Sequence, residues 1–125
     1  MPHEQSRTQS TEMDHCIEAC TRCHSICVET LQHCLQNGGK HASADHIQLL
    51  LDCAEICQTS ANFMLRGSDL HVETCAVCAD ICERCAKSCE TMADDAAMRR
   101  CAETCRACVE SCRRAAGKTR IAHAA

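Results

Sequence analysis

Cysteine sets the pattern of this chain. Sixteen of its 125 residues are cysteine. Cys16, Cys20, Cys23 and Cys27 stand four, three and four residues apart. Cys75, Cys78, Cys82, Cys85 and Cys89 keep that rhythm, and so do Cys101, Cys105, Cys108 and Cys112. Cys53 and Cys57 add one more C-x3-C pair. Seven such pairs result: Cys16/Cys20, Cys23/Cys27, Cys53/Cys57, Cys78/Cys82, Cys85/Cys89, Cys101/Cys105 and Cys108/Cys112. Only Cys34 and Cys75 are left over. A thiolate is a nucleophile, a redox group and a soft metal ligand. Residues three and four apart share one face of a helix, so the spacing predicts rows of thiols along helices.

Three chemistries compete for those rows. Cysteine can serve as a small buried hydrophobe, which accounts for one or two thiols but not for nearly every core position on three helices. Disulfides are the second. Within a helical pair the Cβ atoms stand about 5–6 Å apart, against roughly 3.5–4.5 Å in a disulfide. Cross-helix disulfides need an oxidising compartment, and the polar start "MPHEQSRTQSTEMDH" shows no secretory h-region. The expected compartment is therefore the cytoplasm. Metal is the third. One tetrahedral zinc or one iron–sulfur cluster uses four thiolates and leaves twelve of the sixteen unexplained, and ferredoxin-like loop spacings are absent. Soft thiolate and thioether donors select Cu(I). Sixteen monovalent ions would balance sixteen thiolates one to one, whereas sixteen divalent ions would bury a large positive charge. Thiolates shared between layers about 5.4 Å apart predict at least ten or so Cu(I) per chain.

The elements that must hold these thiols are helices, since helical periodicity dominates and no segment alternates with period two. Four are expected: Glu12 to Gln36 with Thr11 as N-cap, Ala44 to Arg66 capped by Ser43 or Asp45, a third from Ser68 as N-cap to Thr91, and Asp95 to Ala116. Asn37-Gly38-Gly39, Gly67 and Gly117 mark the stops. Short connections make neighbours antiparallel. The fold class is all-α: an up-down four-helix bundle with a cysteine-lined core, in one domain spanning 1–125 with a polar N-terminal tail at 1–11 and a C-terminal tail at 117–125. The second helix has the poorest seam: His46, Leu50, Cys53, Cys57, Ser60 or Ala61, and Met64. Ile17, Val28, Leu31, Leu35, Ile47, Leu51, Ile56, Ile81 and Val109 should bury enough apolar surface to keep the metal-free helices packed.

Softer donors gather at the seam ends. Met13, Met64 and His71 fall at one end; Cys34, His46, Met92 and Met98 fall at the other. These neutral groups suit passing Cu(I) inward. His15, His24 and His33 lie off the seam and are expected in solvent, with His3, His41 and His123 in loops or tails.

Other functions fit poorly. The net charge of −4 favours neither nucleic acid nor membrane, and Phe63 is the single aromatic side chain besides histidine. Glu103 and Glu110 interleave the arginines at 99, 100, 106, 113 and 114, as on a solvated helix face. No apolar run is long enough for a bilayer. A di-iron enzyme needs two Glu-x-x-His motifs facing inward; only Glu12…His15 has the spacing, off the seam. Enzyme function is not expected. A zinc- or cadmium-binding detoxification protein and a thiol redox protein remain as alternatives. Metal content after growth on copper or zinc separates the first, and thiol cycling in metal-free protein tests the second.

In the motifs "CIEACTRCHSIC" and "CAETCRACVESC", repeated within four helices from Met13 to Arg114, the sequence resembles the bacterial copper storage proteins. The resemblance implies a Cys-rich bundle holding many Cu(I) ions on its paired cysteines, a cytosolic branch, and a homotetramer. A copper chaperone is the further partner to expect. The second helix departs from the pattern, with only Cys53 and Cys57.

Overall fold

A computed structural model describes the backbone of residues 3–124 and the side chains of residues 11–117. Among the described residues are four α-helices: α1 (His3–Asn37), α2 (Ala44–Leu65), α3 (His71–Glu90) and α4 (Ala96–Ala124). A 3-10 turn (Gly39–Ala42) lies between α1 and α2. The expected bundle is present: α1 packs on α2 and α4, and α3 packs on α2 and α4. The helices therefore form a square ring about one central column.

Glycine turns the corners where left-handed backbone is needed. Gly38 and Gly39 have φ of 69° and 56°, and Gly38 N–H donates to Cys34 O. At the end of α2, Gly67 has φ 71°, its N–H donates to Met64 O, and Ser68 N–H donates to Phe63 O. This pair of bonds satisfies the last carbonyls of the helix, and a glycine carries the positive φ without steric cost.

Three boundaries differ from expectation. Thr11 does not cap α1, because the helix already runs from His3, and nothing between residues 3 and 12 breaks a helix. Ser68 belongs to the turn instead: its Oγ accepts from Leu70 N–H, and α3 begins at His71. Gly117 does not stop α4, which continues to Ala124; a single interior glycine costs only about 1 kcal/mol. The expected tails at 1–11 and 117–125 are thus largely helical, with Met1, Pro2 and Ala125 outside the described residues. The 91–95 break, which lacks Gly and Pro, is real. Asp95 makes it, its Oδ1 accepting the Ala97 N–H at 2.9 Å as an N-cap.

The core is unlike a leucine core. All sixteen cysteines are buried, with Leu50, Met64, Met92 and Met98 as the large aliphatic members. Small residues form a second stripe at seven-residue intervals: Val72, Ala79 and Ala86 on α3, and Ala102, Val109 and Ala116 on α4, all buried. Small side chains let α3 and α4 approach closely. Among the expected apolar flank, Val109 is buried and five isoleucines and leucines pack partly against the core. Val28, Leu35 and Leu51, however, are 42%, 55% and 51% exposed. They stand on the outer side of α1 and α2, since the cysteines already fill the inner side.

Candidate metal centre

Each helix contributes its cysteine row to one axis, because positions three and four apart stay on the inward face. All sixteen thiols are free. Where two of their sulfurs meet in short contact they lie 3.5–4.0 Å apart, far beyond a disulfide bond of about 2.05 Å. Short contacts within a C-x3-C pair occur at Cys23/Cys27 (4.0 Å), Cys78/Cys82 (3.7 Å) and Cys108/Cys112 (3.9 Å). Most short contacts instead join different helices. Cys23 Sγ on α1 lies 3.8 Å from Cys53 on α2, 4.0 Å from Cys82 on α3 and 3.8 Å from Cys105 on α4. Cys57 likewise meets Cys78, Cys82 and Cys108 at 3.6, 3.7 and 3.9 Å. The spacing of the sequence suggested two-sulfur grips; the bundle assembles a connected column of sulfur.

The column runs from Cys16 and Cys20, both against Cys112 at 3.8 and 3.6 Å, through the middle to Cys27 and Cys105 at 4.0 Å. Beyond these, Cys27, Cys85, Cys101 and Cys105 place their sulfurs within 4.8 Å of one another. A sulfur–metal bond of roughly 2.3 Å sets three ligands around one ion about 4 Å apart. The column therefore already has the spacing that three-coordinate soft ions need. Three non-overlapping groups of four also exist: Cys20/Cys78/Cys108/Cys112, Cys23/Cys53/Cys57/Cys82 and Cys27/Cys85/Cys101/Cys105.

The two left-over cysteines close the ends. Cys34 Sγ lies 3.4 Å from His46 Nε2 and 3.7 Å from Met98 Sδ. His46 is 2% exposed, and its Nδ1 lies 2.7 Å from Ser88 Oγ. Burial holds the His46 imidazole below its usual pKa and pushes Cys34 up to about 11. The His46 ring is thereby held between two partners, with Nε2 facing the Cys34 sulfur and Nδ1 facing the Ser88 hydroxyl. At the opposite end Cys75 donates to Met64 Sδ at 3.9 Å. His71 sits at the rim, its Nδ1 bonded to Ser68 O at 2.8 Å. Met92 is buried at the Cys34 end and Met13 is half-buried at the other.

Hydrogen bonding divides the thiols between the ends. Cys20 is drawn down to about 6 by bonds from Cys108, then Cys112 and Cys16. Cys23, Cys53 and Cys101 are lowered chiefly through Cys105, and Cys78 through Cys108. Cys101 in turn pushes up Cys27, Cys85, Cys89 and Cys105. Cys75 is pushed up to about 12: Cys112 draws it down, but Cys16 and burial outweigh that pull.

Sequence reasoning missed three features. His24, expected in solvent, bonds through Nδ1 to Ala54 O at 2.8 Å and ties α1 to α2. His33 and His41 converge on Asp95 at 2.7 and 3.0 Å; no sequence signal links residues so far apart. Ser60 is fully buried, and its hydroxyl is the one buried side-chain N or O atom without a hydrogen-bond partner among the described residues. The basic side of α4 is paired across helices, Arg106 to Glu90 at 2.8 Å and Arg113 to Glu83 at 3.1 Å. No helix among the described residues is long and apolar enough to cross a membrane.

A sequence profile of the copper storage protein family (Csp) matches residues 9–117. Among solved structures, the Nmul_A1745 protein of Nitrosospira multiformis is 49% identical, with 86% of this chain and 97% of that one covered and a TM-score of 0.81. The Cu(I)-bound copper storage protein BsCsp3, a Bacillus subtilis protein, is 36% identical over 84% of this chain and 98% of its own, with a TM-score of 0.79. A cytosolic copper storage protein from Streptomyces lividans, solved with five coppers, is 26% identical over 88% and 96%, with a TM-score of 0.77.

Proposed function

This chain belongs to the copper storage protein family, and from that premise we propose that all sixteen core cysteines carry its Cu(I) cargo. The function is copper storage and buffering, with many Cu(I) ions held by thiolates inside a four-helix bundle. The observation that supports the residue assignment is the connected run of sulfur contacts at 3.5–4.0 Å from Cys16 to Cys27 and Cys105, which Cys85 and Cys101 extend within 4.8 Å. Charge favours the same reading. Filling the three four-thiol groups with zinc would bury two negative charges at each, whereas Cu(I) at one per thiolate leaves the column neutral. Cys34 and Cys75 join the ligand set at the ends. Met13, His46, Met64, His71, Met92 and Met98 serve as neutral donors that hand Cu(I) to the thiolates.

The whole chain acts as one domain, and holding cargo is its whole action; no substrate bond is broken. The protein works in the cytoplasm and exchanges metal with a copper chaperone. Val28, Leu35 and Leu51 give α1 and α2 an exposed apolar face, which suits a second copy and assembly to a homotetramer; light scattering of the purified chain tests that. An anaerobic Cu(I) titration against a chromophoric chelator tests the function itself. The expected load is at least about ten ions per chain, and saturation at one or two would sink the storage reading.

A further inference from the structure

Outside the thiol column, three donor atoms converge where α1, the 3-10 turn and the start of α4 meet. His33 Nε2 lies 2.7 Å and His41 Nε2 3.0 Å from the same atom, Asp95 Oδ2. The two rings stand edge to face, with centroids 5.9 Å apart. Asn37 Nδ2 lies 3.1 Å from His33 Nε2, and turning that amide over would present its Oδ1 to the same point. The other carboxylate oxygen is occupied: Oδ1 accepts from Ala97 N–H at 2.9 Å. That bond fixes the carboxylate and leaves Oδ2 aimed at the imidazoles. Side-chain exposures of 35%, 23% and 22% for His33, His41 and Asp95 leave the cluster open to solvent ions.

We propose that His33, His41 and Asp95 form a second metal site, separate from the thiol column, that takes a borderline divalent cation of the Zn(II), Ni(II) or Cu(II) class. Two imidazole nitrogens and one carboxylate oxygen are the donors that such ions prefer, and they lack the sulfur that Cu(I) selects. The spacing suits one shared ion. Donors about 2.0–2.1 Å from a metal stand roughly 3.0–3.4 Å apart, so the 2.7 and 3.0 Å spacings to Asp95 Oδ2 need open by only a few tenths of an ångström. Hydrogen bonding alone uses the atoms less well, because His33 Nε2 faces an amide donor and a carboxylate acceptor at once. An ion held here would pin α1 to the turn before α4, beside the Cys34 end of the column.

The test is Zn(II) added to the full chain whose thiols are already filled with Cu(I), read by bound zinc and by the imidazole NMR resonances of His33 and His41. Those resonances report the site in metal-free protein as well, so failure of copper loading is a separate result. One additional Zn(II) per chain is expected, with both histidines shifted. Asp95→Asn keeps an N-cap side chain and should weaken zinc at least about tenfold. His33→Gln with His41→Gln should abolish binding, while His15→Gln, an exposed control, should change nothing. Zinc that leaves both resonances unmoved, or binds Asp95→Asn as tightly as the parent, would overturn the site and leave a hydrogen-bonded clasp only.

Discussion

The middle of the column is sulfur alone; its ends mix sulfur with nitrogen and thioether. At Cys23 every short side-chain contact is another thiol. At Cys34 the partners are His46 Nε2 and Met98 Sδ, and at Cys75 the partner is Met64 Sδ. On the function proposed above, the difference would separate storage from exchange. A thiolate neutralises Cu(I) and holds it; a neutral imidazole or thioether binds without cancelling charge and lets go sooner. The ends are also unlike each other. His46 is buried and oriented by Ser88, whereas His71 is bonded back to its own turn. The Cys34 end therefore gathers the fuller set of neutral donors, His46 and Met98 beside the thiol.

The largest effect should come from the middle. Changing Cys23, Cys53 and Cys105 together to serine removes sulfurs that touch all four helices, and should cost about four Cu(I) per chain. Cys34→Ser or Cys75→Ser should cost about one at most. Equal losses at the centre and the ends, in the same chelator titration, would erase the comparison. Next in size is rate. His46→Gln should slow Cu(I) transfer from a chelator about tenfold in stopped-flow experiments, with the final load almost intact. His71→Gln should change the rate by less than about twofold, since His71 lies at the rim; the reverse order would move the point of admission to the other end.

Proton release sharpens the same contrast. Each ligand thiol must lose its proton to bind Cu(I). The ends, with Cys34 at about 11 and Cys75 at about 12, should release fully at neutral pH. In the middle, Cys20, Cys23, Cys53, Cys78 and Cys101 are lowered. They cannot all ionise together, because Cys23 and Cys53 lie 3.8 Å apart and two thiolates there would repel. Full loading in weak buffer should thus release most of the sixteen protons, with Cys20, drawn down to about 6, contributing least. Release near zero would mean that the thiols are not the ligands.

Smaller effects concern the metal-free fold. Cys34 and Cys75 have folded pKa values above the ordinary 9.0, so their contribution to stability is complete below pH 9 and drains as pH rises through 11 to 12. The apo protein should melt roughly 5 °C lower at pH 10.5 than at pH 8, and Cys34→Ala should flatten that slope. Smallest is Ser60→Ala. Removing a buried, unpartnered hydroxyl should stabilise the apo protein by about 1 kcal/mol in urea unfolding.

The amino-acid sequence determined the four helices, the all-α class and the membership of every cysteine in the core, because a three-four repeat has only one inward face on a helix. It also placed Cys34, His46 and Met98 at one end and Met64 with His71 at the other, since antiparallel order follows from short connections. Helix ends were less legible. Gly67 could be read because a positive φ demands it; Ser68 could not, since the same side chain serves a cap or a turn. The tertiary structure alone decided which sulfurs meet. Cys23 faces Cys53, Cys82 and Cys105 across 30, 59 and 82 residues of chain, and only the rotation and offset of packed helices fix such distances. It also decided the gathering of His33 and His41 on Asp95, and the exposure of Val28, Leu35 and Leu51 once thiols had filled the inner faces. Spacing along a chain specifies a face of a helix; what that face touches depends on how neighbouring helices close-pack against it.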